Sequence, residues 1–312
     1  MTMCGAGRHA GAVDADEVMF AHYSRRLEAD RLISPKGLLE FERTIEIIER
    51  VVPPPPAVVA DVGGGPGRYS AWLAERGYRV EHRDRVALHV EQMSSAALQG
   101  VHTAVGDARA LDLPDSSVDV VLLLGPLYHL IDRHDRTQAL TEARRVVRPG
   151  GRVFVAAISR WAARLDGVLT ERLYETRPNA LEVITASESD GRLLPLAPGG
   201  FGGYTHRPSD LADEIHDAGL TLEDLVGVEG LPIASSELTG RLTDPAAHQV
   251  LLDSARAIER IPELLGLSSH LIATTRRPES STGGTERRHR RTTRHVSVLL
   301  HPHDRRTAGR TG

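Results

Sequence analysis

A doubly wound α/β fold with a mostly parallel sheet is what this sequence predicts, and three observations predict it. From residue 57 onward, short apolar segments alternate with helical stretches, the pattern of successive β-α units. Val118 to Leu124 is apolar but for Asp119 near its start, as a central strand covered on both faces requires. A glycine-dense turn, Asp61-Val62-Gly63-Gly64-Gly65-Pro66-Gly67-Arg68, joins the first strand of the series to its first helix.

The elements follow in order. Residues 1 to about 15 are small and polar and read as a flexible N-terminus. Asp16 to Val52 is helical in pattern: Leu38, Phe41, Ile45, Ile48 and Val52 recur at spacings of three and four, opposite Glu40, Glu42, Arg43, Glu46, Glu49 and Arg50. Pro53 to Pro56 has no amide hydrogens to offer a helix and ends this preface, so residues 16–56 form a helical preface and proline linker. Ala57 to Val62 is a strand, Arg68 to Arg76 a helix, Tyr78 to His82 a strand, Val86 to Leu98 a helix, and Val101 to Val105 a strand. After the central run, Arg136 to Val147 is a helix stopped by Pro149-Gly150-Gly151, and Val153 to Ile158 is another buried strand. Ser159 to about Pro208 is irregular and holds Gly199-Gly200-Phe201-Gly202-Gly203, which reads as an inserted cap with glycine joints. Ser209 is placed to cap a helix reaching Ala218. Leu220 to Val228 and Leu267 to Thr275 supply the sixth and seventh strands, with a second insertion at 231–261 between them. From Arg276 to Gly312 the composition turns to Arg, His, Ser, Thr and Gly, a disordered basic tail.

Composition narrows the function classes. The chain of 312 residues carries a formal charge of −4, unevenly spread. Arg276 to Gly312 holds ten arginines and three acids, a balance of +7, so the first 275 residues carry −11. An acidic body argues against nucleic acid as partner. The single cysteine, Cys4, excludes an internal disulfide and a cysteine zinc cluster. No apolar run approaches the roughly 18 residues of a membrane helix. Asp14, Asp16 and Glu17 stand where a secretory signal needs apolar residues, so a cytoplasmic setting is expected.

The chemistry concentrates at the predicted strand ends. A dinucleotide fingerprint G-x-G-x-x-G that starts at Gly63 and Gly65 would place its third glycine where Arg68 stands. Asp61, just before the loop, would repel a pyrophosphate and suits a ligand presenting an ammonium group. Asp84 ends the second strand, where an acid in such sheets takes ribose hydroxyls; the same position suits an acid opening the next helix. Arg83 and Arg85 keep a 2′-phosphorylated dinucleotide open. Asp107, in Gly106-Asp107-Ala108 after the third strand, can accept from an adenine amine or simply turn the chain. Asp119 reads as structural. Gly125-Pro126-Leu127-Tyr128-His129-Leu130 follows the central strand, so Tyr128 and His129 lie beyond its carboxyl end. His129 can serve there as a base or as pocket lining.

Taken with Arg145-Val146-Val147-Arg148-Pro149-Gly150-Gly151, these segments resemble a class I S-adenosylmethionine-dependent methyltransferase, of the actinobacterial small-molecule type, over about residues 16 to 275. The resemblance implies a Rossmann-like domain over 57–275 with S-adenosyl-L-methionine as cofactor and no metal. It implies that Gly63, Gly64, Gly65 and Gly67 pack against the methionine portion with Asp61 near its amino group. Asp84 would hold the ribose, Asp107 and Ala108 the adenine edge, and Leu124 and Gly125 the methyl-donor side. Tyr23 would belong to a lid, and Tyr128 and His129 would face the acceptor, His129 as candidate base. The acceptor is expected to be a small molecule rather than nucleic acid or membrane. No Asn-Pro-Pro-Tyr segment follows the fourth strand, and no cysteine nucleophile is near. Two other readings remain: a cofactor-binding protein without transfer activity, and an NAD(P)-dependent oxidoreductase. His289, His295, His301 and His303 of the tail have no acid or cysteine at ligand spacing and suggest no metal site.

Overall fold

The apolar runs become strands of one twisted sheet in a computed structural model, which describes residues 15–23, 31 and 33–279. The expected flexible N-terminus up to residue 14, and the basic tail from residue 280 on, lie outside the described residues. Strands β1 (Val58–Val62), β2 (Arg79–Asp84), β3 (Val101–Val105), β4 (Val118–Leu123) and β5 (Val147–Ser159) run parallel in the order β3-β2-β1-β4-β5. Two short strands, β6 (Arg192–Leu193) and β7 (Gly203–His206), belong to the cap. Strands β8 (Thr221–Gly227) and β9 (His270–Arg276) complete the sheet, β9 antiparallel between β5 and β8. The order reverses between β1 and β4, which opens a crevice at their carboxyl ends.

The apolar run Val120 to Leu123 of β4 has a direct cause: both of its faces are covered. Val121 and Leu123 pack with Ala139, Leu140 and Ala143 of helix α5 (Arg133–Val146) and with Leu211 and Ile215 of α7 (Pro208–Asp217). Val120 and Leu122 pack on the other side with Ile47 and Ile48 of α2 (Pro35–Glu49) and with Trp72 and Leu73 of α3 (Arg68–Glu75). Helix α1 (Ala15–Tyr23) precedes this frame, α4 (Ala87–Ser95) lies between β2 and β3, and α6 (Ala180–Asp190) belongs to the cap. Helices α8 (Ser235–Thr243) and α9 (Pro245–Ile258) form the second insertion.

Four expectations are corrected. The buried surface of α2 is wider than the one predicted: Ile48 is buried and Phe41, Ile45 and Val52 pack beside it as expected, but Leu38 is 43% exposed, while Leu39 is buried against Leu238, Leu251 and Leu252 of α8 and α9. The cause is a second layer that the periodicity of α2 alone does not reveal. Ser209 does not cap α7; Arg207 stands at the N-cap and Pro208 in the first turn. Strand β5 begins at Val147, ahead of Pro149-Gly150-Gly151, and the Pro-Gly-Gly turn becomes an irregularity in its pairing with β4 between Val118 and Val120. Gly203 is not a joint but a strand residue, whose missing Cβ lets β7 lie against the Tyr128 carbonyl.

The placement of β7 matters for the site. Ile158 pairs with His270 of β9 on one edge and with Thr205 of β7 on the other. Strand β7 therefore continues along the edge of β5 beyond the end of β4, and the cap stands over that end. A buried cluster fixes it there. The Arg136 guanidinium donates to both Glu214 oxygens and to the carbonyls of Leu130 and Ile131 (2.9 and 2.7 Å), and it stacks 3.5 Å from the Tyr204 ring. Glu214 also meets His206 Nε2 at 3.2 Å.

A second buried ion pair ties α2 to the far insertion. Arg43, fully buried, donates to Glu259 Oε2 (2.5 Å) and to the Val228 carbonyl (3.1 Å), while Arg50 reaches Glu259 Oε1 at 3.0 Å. Removing one partner leaves a buried charge uncompensated. Glu259→Ala is expected to destabilise the protein by about 3–5 kcal/mol, measured by chemical denaturation, with Glu259→Gln milder.

Candidate functional site

The carboxyl ends of β1 to β4 open into one cavity, and each strand delivers a particular group to it. Asp61 ends β1 almost fully buried; the Ser70 hydroxyl donates to its Oδ2 at 2.7 Å. Burial raises its proton affinity, against the opposing pull of His82 and Ser70. The loop that follows turns by hydrogen bonds from Gly63 N and Gly64 N to the Arg83 carbonyl (2.7 and 3.3 Å). Two of its glycines are required for opposite reasons. A Cβ on Gly64 would lie 2.5 Å from the His82 ring and 2.7 Å from the Asp61 carboxylate. A Cβ on Gly65, whose φ is +58°, would meet nothing within 4 Å, because it would project into the cavity.

Asp84 ends β2. Its carboxylate accepts from Gly65 N and Val86 N, both at 2.8 Å, and from His89 Nδ1 at 3.2 Å. Burial opposes the charge, but His89 and the two amides outweigh it and hold the carboxyl below its usual range. It is an anion tied at one end to the glycine loop and at the other to the start of α4.

Asp107 follows β3 beside Ala108, and both line the cavity. Asp107 is engaged: Arg109 N donates to it at 2.9 Å, the Arg109 guanidinium at 2.7 Å, and Arg85 lies 3.2 Å away. Arg85 in turn makes a two-pronged pair with Asp16 of α1 (2.6 and 2.8 Å). Arg83 is buried against Asp112 (2.6 Å) and Glu81 (3.1 Å). Both arginines that kept a 2′-phosphate open are thus neutralised by acids of the protein itself. Asp119, as expected, is structural: it accepts from Val58 N at 2.8 Å and pairs with Arg148 at 2.6 Å.

Leu124 and Gly125 close the wall beyond β4, followed by Tyr128 and His129 on a single 3-10 turn, Pro126–His129. The Tyr23 hydroxyl and His129 Nε2 are hydrogen-bonded at 2.8 Å, and His129 Nδ1 is buried with no partner among the described residues. Burial, aided by the nearby His22, pushes the His129 imidazole down to about 3, so it is neutral at pH 7. A group held that low accepts protons weakly, which counts against the expected base role and for a hydrogen-bonding one. Helix α1 thereby crosses the cavity from Asp16 at the Asp107 end to Tyr23 at the His129 end. His22 lies edge-on to the Phe201 ring of the cap at 5.8 Å.

The structure brings Asp61, Gly63, Gly64, Gly65, Asp84, Asp107, Ala108, Leu124, Gly125, Tyr128, His129 and Tyr23 around one cavity. Gly67 is the exception. It precedes α3 in a left-handed conformation and packs against Met93, away from the cavity lining. Sequence reasoning missed His89, Arg31, Glu40 and His270, which also line it. Only His89 had a local signal, five residues after Asp84 on the following helix.

The residues fit an aminoacyl nucleoside sulfonium. A glycine loop with one open Cβ direction faces a carboxylate at β1 and an ionised acid at β2, with Asp107 and Ala108 lining the same cavity beyond β3.

The two perturbed histidines of this region give stability a defined pH window. His129 must stay neutral when folded, so stability is full above its ordinary value near 6.5 and falls as pH drops from there toward 3. His270 is held charged by Glu40 and Glu229, despite its burial, and is pushed up to about 9. Its contribution is full below 6.5 and is lost as pH rises through 9. Thermal melts across pH 4 to 10 should peak near neutrality, and His270→Gln should flatten the alkaline side alone.

A family model described as a methyltransferase domain matches residues 60–155. A ubiquinone/menaquinone biosynthesis C-methyltransferase of Acidiphilium cryptum is 36% identical over 136 residues, covering 42% of this chain and 52% of that protein. The chain therefore spans about half the length of that relative. A ubiquinone biosynthesis O-methyltransferase of Pseudomonas fluorescens is 29% identical over 181 residues, 56% of this chain and 69% of that one. An uncharacterized methyltransferase of Mycobacterium tuberculosis is 34% identical over 108 residues, covering 35% and 42%. Among solved structures, a SAM-dependent methyltransferase from Methanosarcina mazei superposes with a TM-score of 0.53 at 18% identity, covering 75% of this chain and 98% of that one. One from Thermotoga maritima, titled a possible histamine N-methyltransferase, gives 0.52 at 18% identity over 85% and 100%. At that identity they establish the fold: a Rossmann-like, mostly parallel sheet of the kind found in S-adenosylmethionine-dependent methyltransferases. No helix among the described residues is long and apolar enough to cross a membrane.

Proposed function

We propose that this chain is an S-adenosylmethionine-dependent methyltransferase that acts on a small-molecule acceptor. The observation that carries the reading is the carboxyl edge of the sheet: an open-faced Gly65 between buried Asp61 and ionised Asp84, inside the segment that matches the methyltransferase domain. Asp61 would meet the ligand's ammonium group, Asp84 its ribose hydroxyls, and Asp107 with Ala108 its adenine edge. Gly63, Gly64, Leu124 and Gly125 would shape the space around the sulfonium, which supplies an already activated methyl group. Tyr23, clamped to His129, would close the lid side. Tyr128 and His129 would line the acceptor-facing wall, with His129 orienting through hydrogen bonds.

The C- and O-methyltransferase relatives named for ubiquinone biosynthesis support a small-molecule acceptor. The protein's contribution is alignment of the acceptor with the sulfur–methyl bond, an effect able to supply roughly 7–11 kcal/mol. The internal pairing of Arg83 and Arg85 disfavours NADP.

The test is thermal-shift titration with S-adenosylhomocysteine and, separately, NADPH, followed by a labelled-methyl transfer screen of metabolites. Stabilisation by S-adenosylhomocysteine and transfer to a small molecule are expected. Stabilisation by NADPH alone would refute the reading, and binding without any transfer would leave a cofactor-binding protein. His129→Ala separates its two roles. Cofactor affinity should fall about 3- to 10-fold, as one hydrogen bond to the lid is lost, with turnover of the bound enzyme nearly unchanged.

A further inference from the structure

A second cavity adjoins the first and shares Arg31, Glu40 and His270 with it. Its far wall is apolar, built from Leu39, Leu231, Pro232, Ile233 and Leu238. Where the two cavities meet, His270 Nδ1 donates to Glu229 Oε1, and the Ser268 hydroxyl and His270 N hold the other Glu229 oxygen at 2.7 and 3.1 Å. Nε2 of the same ring makes no hydrogen bond among the described residues. Glu40, Glu229 and His270 carry polar atoms within 4.8 Å of one another, and Arg31 pairs with Glu40 at 2.8 Å.

The topology explains why this pair faces the proposed methyl donor. Strand β9 is antiparallel to β5, so its first residue, His270, lies opposite Ile158 near the carboxyl end of β5. Gly227, the last residue of β8, pairs with Leu271, so Glu229 emerges at the same edge. The acids of β1 to β3 and the His-Glu pair of β8 and β9 thus stand along one edge of the sheet, on opposite sides of β4 and β5.

Resting on the methyltransferase reading, we propose that the second cavity seats the acceptor, and that the Glu229–His270 pair holds the acceptor oxygen as its anion. The acceptor this site fits has an apolar body and an ionisable hydroxyl. The apolar wall takes the body, and the hydroxyl meets Nε2 at the junction. An electron pair of the acceptor oxygen forms the bond to the methyl carbon. The hydroxyl gives its proton to solvent on binding, the resulting oxyanion accepts from Nε2–H, and the sulfur–methyl bond breaks with its pair left on sulfur. Glu229 orients the ring through Nδ1 and stabilises the imidazolium. Glu40 adds a second negative charge, and Arg31 offsets part of it. These are the charged groups that face the ring, and together they push His270 up to about 9. A ring that stays charged at neutral pH favours the ionised form of a weakly acidic hydroxyl placed against it.

The probe is 4-nitrophenol, whose phenolate is coloured, titrated into the full-length protein with S-adenosylhomocysteine bound. Wild type should bind it as the phenolate. At pH 6, where most of the free probe is protonated and colourless, His270→Gln should bind it at least about 10-fold more weakly and lose the colour gained on binding. Glu229→Gln gives a reading independent of that variant: the His270 ring, followed by NMR, should titrate lower, and probe binding should weaken in step. Equal probe affinity in wild type and His270→Gln would overturn the proposal, as would an unshifted titration in Glu229→Gln or the absence of saturable probe binding. Failure of wild type to bind S-adenosylhomocysteine would instead overturn the methyltransferase reading beneath it.

Discussion

Gly65→Val should abolish binding of S-adenosylhomocysteine, lowering affinity by roughly 100-fold or more, with the fold retained. In the ligand-free chain a Cβ at this position meets no atom within 4 Å, so the substitution creates no clash inside the protein. The cost to folding is the left-handed backbone at φ +58°, roughly 1–2 kcal/mol for a residue with a Cβ. The cost to binding is larger. The added methyl groups occupy the cavity itself, between the Asp61 and Asp84 carboxylates, and overlap there costs about 3 kcal/mol or more. Gly64→Ala makes the internal contrast, because its Cβ would strike His82 and Asp61 and should destabilise the fold as well. Calorimetric titration together with denaturation melts separates the two. A Gly65→Val protein that binds normally would place the ligand elsewhere.

Asp84→Asn should weaken the same ligand roughly 10- to 150-fold. The substitution keeps the shape of the side chain and one carbonyl oxygen, but removes the charge that two backbone amides and His89 now support. A hydrogen bond to a charged group is worth roughly 1.5–3 kcal/mol against about 1 for a neutral one. The proposed ribose contact therefore loses most of its advantage. The glycine loop also loses its anchor, since Gly65 N donates to the same carboxylate. The measurement is the dissociation constant at pH 7 and again near pH 3. In wild type, affinity should persist at acid pH to the extent that the carboxyl stays ionised, because its pKa lies below the usual carboxylate range. An unchanged constant in Asp84→Asn would remove the acid from the ligand.

Much of the frame was legible because its causes are local. The glycine loop, the acids at the ends of β1 and β2, and the doubly covered run of β4 each follow from a few neighbouring residues and the period of a buried strand. The strand-to-helix boundaries shifted by a few residues, as at Val147, where pairing with β4 extended the strand past a turn signal. The second buried face of α2 was not legible, because Leu39 is buried by α8 and α9, about two hundred residues away in sequence.

The sequence by itself determined where chemistry could sit: at the carboxyl edge of a parallel sheet, beside a loop with no room for side chains. The tertiary structure decided what individual groups do there. Nothing in the chain distinguishes His129 from His270 as a residue type, yet burial drives the first toward neutrality and two carboxylates hold the second charged. Asp16, Arg85 and Asp107 come from three separate segments to join α1 to the rim of the cavity. Glu229 and His270 meet across forty-one positions because β8 and β9 pair antiparallel. A proton's affinity depends on the charges and solvent within a few ångströms, and those neighbours are assembled only by folding.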